Sequence, residues 1–76
     1  MNNKFRLRLC SDLDYEKMVV DICYENETVA KIICENGPKS MQIEIYSSEN
    51  GTLSWNFFLE DFLVALEAAK SHLIEI

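Results

Sequence analysis

The side chains able to do chemistry are few in kind: one histidine, three cysteines and thirteen carboxylates among 76 residues. Nucleophilic catalysis needs a general base beside a serine or cysteine, and the one candidate base is His72. It lies near the end of the last predicted helix, where a solvated residue complementing the helix dipole is the simpler role. Cys10, Cys23 and Cys34 are separated by 13 and 11 residues, spacings that fit neither a CxxC redox pair nor paired zinc knuckles. Each lies in an apolar or alternating stretch, so reduced thiols acting as small hydrophobes are expected. Asp12 and Asp14 could share general acid–base work or a cation. They sit in a turn that lacks the glycine of a sharp calcium loop, and solvated turn carboxylates explain them more simply. No G-x-G-x-x-G, GxxxxGK[ST] or HExxH motif is present. These residues predict no enzyme, no cofactor and no metal.

Charge narrows the partner class. Seven Lys/Arg face thirteen Asp/Glu, a net charge of −6. Lys4, Arg6 and Arg8 lie in the first ten residues, so the chain from Ser11 onward carries four cations against thirteen anions, or −9. An acidic surface repels phosphate backbones and anionic membranes. Neither nucleic acid nor membrane is therefore expected as a partner. Such a surface attracts a basic protein and speeds the encounter; solubility alone is the competing explanation.

The elements that must position these residues follow from periodicity. Phe5, Leu7 and Leu9 alternate with Lys4, Arg6 and Arg8 and predict a strand over about 4–10. Ser11-Asp12-Leu13-Asp14 is turn-prone, because its side chains can bond their own backbone. Alternation resumes at Tyr15, with Met18, Val20, Ile22 and Tyr24 on one face and Lys17, Val19, Asp21 and Cys23 on the other, predicting a strand over about 15–24. Glu25-Asn26-Glu27 is a polar break in which Asn26 suits a left-handed hairpin position. The β-branched run that follows returns as a strand over about 28–35, and Asn36-Gly37-Pro38 punctuates it. Further strands are predicted over about 41–46 and, with Leu53, Trp55 and Phe57 inward, over about 52–57.

The period changes at Leu59. Leu59, Phe62, Leu63, Leu66, Ala69 and Leu73 form a helical stripe. Glu60 and Asp61 at its start and Lys70 and His72 near its end complement the dipole, predicting a helix over about 59–74. Of the adjacent Phe57 and Phe58, one is expected in the core and the other as a helix-entry staple. The resulting class is α+β: a five-stranded antiparallel meander with one C-terminal amphipathic helix on one face. Its other face would carry Arg6, Arg8, Val19, Asp21, Cys23, Lys31, Gln42, Glu44 and Tyr46, a wet surface that antiparallel sheets tolerate.

Seventy-six residues allow one small domain. No apolar run approaches the ~20 residues of a membrane span, and no apolar stretch at the N-terminus reads as a signal peptide. A cytoplasmic protein is expected.

The run Tyr15 to Ile32, with Glu44-Ile45-Tyr46 and the stretch Trp55 to Lys70, resembles small bacterial β-rich proteins that end in a Leu-acid-x-Phe-Leu-x-Ala-Leu-x-x-Ala-Lys helix. Some of these resemble immunity proteins, which neutralise a toxin. The resemblance implies a scaffold and carries no functional residues over. With the acidity, it points to a protein-binding inhibitor of a toxin, with a basic nuclease as a suitable target. Asp12, Asp14, Glu16, Asp21, Glu44 and Glu49 are the candidate acidic contacts, with Tyr24 and Tyr46 as aromatic anchors. Two alternatives remain: a phage or mobile-element inhibitor of a host defence complex, and a self-associating structural module. The second would form a homodimer through an exposed edge strand.

Overall fold

The computed structural model describes residues 4–47 and 55–74. Four strands, β1 (Phe5–Cys10), β2 (Val19–Tyr24), β3 (Glu27–Ile33) and β4 (Gln42–Ile45), form one antiparallel sheet in the order β1-β2-β3-β4. A short 3-10 turn at Pro38–Ser40 joins β3 to β4, and the helix α1 spans Leu59–Ile74. The turn is entered through Gly37 at φ 98° and ψ 167°, a backbone region essentially reserved for glycine.

Register sorts the side chains by face. Leu7 opposes Ile22, and Leu9 opposes Val20; Val20 opposes Ile32, Ile22 opposes Ala30, and Ile32 opposes Ile43. A register shift between Ile22 and Cys23 leaves Val29 as an extra residue, and both Val29 and Ala30 join the core. Helix α1 packs chiefly on β1 and β2, bringing Ala65, Ala69 and Leu73 onto Val20, Ile22 and Ile32. At one end of this core Phe5, Tyr24, Trp55, Phe57 and Phe62 form an aromatic cluster, with Phe5 4.7 Å edge-on to Phe57 and Tyr24 4.7 Å from Phe57.

Several expectations need correction. Among the described residues the sheet has four strands, not five. Residues 55–58 carry no strand, and Leu53 lies outside the described residues. Trp55 and Phe57 do pack against the core, but they reach it from a segment without regular secondary structure, tied back by Trp55 Nε1 donating to the Tyr46 carbonyl at 3.0 Å. Alternation reports an extended segment lying against a core; it does not guarantee a ladder partner. The second strand starts at Val19 rather than Tyr15, because side chains capture the preceding segment (below). Leu59 and Leu63 are exposed although they belong to the predicted stripe, since the helix approaches the sheet along its alanines. Phe58 is 82% exposed, which does not fit a buried helix-entry staple. In the β2–β3 hairpin the left-handed residue is Glu25 (φ 57°), not Asn26.

Candidate functional site

The face away from the helix holds one charged row. Arg8 opposes Asp21, Asp21 opposes Lys31, and Lys31 opposes Glu44, so charge alternates in sign across all four strands. Cross-strand neighbours of opposite sign stabilise a sheet modestly, while like charges there would oppose pairing. Arg8 Nη2 donates to Asp21 Oδ2 at 2.8 Å, and the Cys10 thiol points to the same oxygen at 3.6 Å. Lys31 turns away from Asp21 to pair with Asp12. Asp21 is only 6% exposed, and its Oδ1 meets no donor among the described residues.

Segment 11–18 crosses this face as a strap. Asp12 is shaped by its own turn, accepting the Asp14 amide at 2.9 Å, and its other oxygen takes Lys31 from β3. The Tyr15 hydroxyl donates to Glu44 on β4, and Lys31 Nζ lies 5.9 Å from the Tyr15 ring centroid, within cation–π range. The Glu35 carboxylate accepts the amides of Glu16 and Lys17, both at 2.9 Å. Val19 and Ile33, paired in register on this face, are buried, as an apolar row beneath a covering segment should be. Asp14 and Glu16 project as exposed carboxylates with no ion-pair partner among the described residues.

Arg8, Cys10, Asp12, Tyr15, Lys31 and Tyr46 have proton affinities shifted by their partners or by burial. Hydrogen bonding to Asp21 raises Arg8, and hydrogen bonding to Asp12 raises Lys31 against the opposing effect of burial. The same bond from Lys31 lowers Asp12. Donation to Glu44 pushes Tyr15 up to about 12, while burial raises Tyr46 and the Cys10 thiol. At neutral pH the cations stay charged and the tyrosines and Cys10 stay protonated. A general base or activated nucleophile needs a pKa near the working pH. These groups are suited to holding geometry and donating hydrogen bonds.

A cleft of about 460 Å³, lined by Asp21, Thr28, Lys31, Tyr46 and Ser47, opens beside the charged row. Tyr46 donates to Glu44 at 3.3 Å. Four of the residues singled out from sequence (Asp12, Asp21, Glu44 and Tyr46) thus converge on one network, with Asp14 and Glu16 on the strap above it. Tyr24 is not among them. It faces the helix side, with its ring 5.0 Å from Phe5. Glu49 lies outside the described residues. Arg8, Tyr15, Lys31 and Glu35 hold the site together and were not singled out as site residues. Arg8 and Lys31 were visible as charges on the right face, but only the strand register reveals that they alternate with Asp21 and Glu44.

Among the described residues, no three His, Cys, Asp or Glu side chains converge as a metal site, and no helix is long and apolar enough to cross a membrane. Compared with known proteins, the chain matches no family model, no curated protein and no solved structure.

Proposed function

We propose that this chain is a protein-binding inhibitor of the immunity type, which docks an acidic surface on the basic active or binding surface of a cognate toxin. The strap is the observation that carries this reading. A loop of this length ordinarily loses conformational freedom when it binds. Here Asp12, Tyr15 and the backbone at Glu16 and Lys17 are already fixed, so Asp14 and Glu16 are presented before any partner arrives. Their charge, within a net −6, suits electrostatic steering toward a cationic surface. Asp21 Oδ1 supports the same reading. A buried acceptor without a donor costs roughly 1–3 kcal/mol, and a lysine or arginine of the partner reaching the adjoining cleft would recover part of that. A host defence complex with a basic surface would be met by the same logic.

Co-expression with the product of the adjacent gene tests the proposal. A complex that survives purification, together with protection of cells from that product, is the expected result. Normal toxicity in the presence of folded protein, with no complex formed, would overturn it.

A further inference from the structure

The sheet has two edges, and they are protected unequally. Arg6 and Arg8 stand on β1 with Lys4 just before it, and cations on an edge strand disfavour pairing with another copy. From Met41 to Tyr46 there is no lysine, arginine or proline. Ile43 and Ile45 on β4 are 43% and 67% exposed, because the helix packs chiefly over β1 and β2. The Tyr46 amide donates inward to Val29 at 2.8 Å. Backbone direction alternates along a strand, so Glu44 and Gln42 also bond inward, and the amides and carbonyls of Ile43 and Ile45 face outward.

We infer that β4 is a self-pairing edge: two copies join β4 to β4 antiparallel about a two-fold axis at Ile43, making one continuous eight-stranded sheet. The strand's own sequence selects this register. Centred on Ile43, each Ile43 opposes its counterpart, and Met41 opposes the second copy's Ile45 on the helix side. On the charged face Gln42 then opposes the second copy's Glu44, a hydrogen-bonding pair, and it does so twice. Shifting the axis one residue to Glu44 would set two carboxylates directly opposite each other, which is destabilising. Centring on Ile43 also matches outward-facing backbone groups to each other, so the ladder continues across the axis. A mostly apolar groove lined by Ile32, Met41, Ile43 and Leu66, together with Gln42 and with Glu67 and Lys70 of the helix, adjoins this seam and accepts the added side chains. With only four strand residues a side, the contact falls below the area of a stable interface. It is therefore a concentration-dependent dimer in the micromolar-to-millimolar range. This inference stands independently of the proposed inhibitor function.

Sedimentation velocity over a concentration series, on the full chain, tests it through Gln42, an exposed residue whose replacement leaves the core untouched. Gln42→Lys should tighten the dimer by placing two Lys–Glu44 pairs across the axis, and Gln42→Glu should loosen it by placing two like-charge pairs there. Each shift is expected to be roughly 2- to 30-fold in dissociation constant. Ile43→Cys, oxidised at high concentration, should give a covalent dimer whose disulfide maps to the substituted position in both copies. That mapping separates it from cross-links through Cys10, Cys23 or Cys34. A wild-type chain that stays monomeric throughout would overturn the inference. So would a dimer that responds equally to both Gln42 substitutions, or a cross-link that excludes position 43.

Discussion

On the helix side of the sheet, Val20, Ile22 and Ile32 meet Ala65, Ala69 and Leu73; on the opposite side, Asp21, Lys31 and Glu44 meet Arg8, Asp12 and Tyr15. The first closure removes apolar surface from water, is non-directional and depends little on pH. The second covers Val19 and Ile33 with a strap whose anchors are directional and charged. A small domain has little apolar material to spare. Here one helix covers one face over β1 and β2, and polar anchors tie a loop over the other. The difference teaches where function can sit: the apolar face is committed to stability, whereas the strapped face can be stable and still present carboxylates to a partner.

The sharpest way to break the comparison is to damage each closure separately. Ile22 is fully buried, and Ile22→Ala should cost about 2–5 kcal/mol, a large part of the stability of a domain this size. Urea denaturation should show this loss at low and high sodium chloride alike. Lys31→Met should lower the urea midpoint by much less. Its signature is local: the amides of Glu16 and Lys17, held by Glu35, should exchange faster with solvent while those of Val20 and Ile22 keep their protection. Equal loss of protection on both faces would mean that the two closures are one cooperative unit.

Extremes of pH should separate the faces further. Asp12 is lowered by Lys31, so its contribution is present above the ordinary carboxylate pKa and is lost as pH falls through the lower folded value. Lys31 and Tyr15 are both raised, so their contributions are complete below their unfolded values near 10 and fade as pH rises beyond them. The strap should therefore hold from about pH 4 to pH 10. The phenolate absorbance of Tyr15 should titrate near 12, which a Tyr15→Phe difference spectrum isolates. The smallest expected effect is at Glu25, whose left-handed backbone is strained for a residue with a side chain. Glu25→Gly should leave both faces intact and raise the urea midpoint slightly, offset in part by loss of the exposed Lys4 pair.

Much of the fold was legible because apolar period and turn chemistry agreed. The Leu59–Ile74 helix carries its alanines, its first-turn acids Glu60 and Asp61 and a last-turn His72 in the right order, and Asn36-Gly37-Pro38 forms a loop for the reason its residues suggest. The strap was not legible. Tyr15 to Lys17 continue the alternation of β2, and only the capture of two amides by Glu35 and of Lys31 by Asp12 takes that segment off the sheet. Such contacts join residues 18 or 19 positions apart and leave no periodic trace. The candidate site was half legible for the same reason. Acidic residues could be picked out one by one, but Arg8, Asp21, Lys31 and Glu44 become a row only once three registers are known. Tyr24 misled in the opposite sense, its face correct and its ring absorbed by the aromatic cluster.

The most direct test of the strap as a preformed acidic docking surface is stopped-flow association with the protein encoded beside it, at low and high salt. Wild-type association should slow steeply as the Debye length contracts from ~10 Å at 0.1 M to ~3 Å at 1 M. Dissociation should change little, since it is set by desolvated contacts such as those Tyr46 can make. Asp14→Asn with Glu16→Gln should lower the low-salt association rate and flatten its salt dependence without altering the urea midpoint. An association rate indifferent to salt, or unchanged in that double variant, would contradict the account and leave the acidity serving solubility alone.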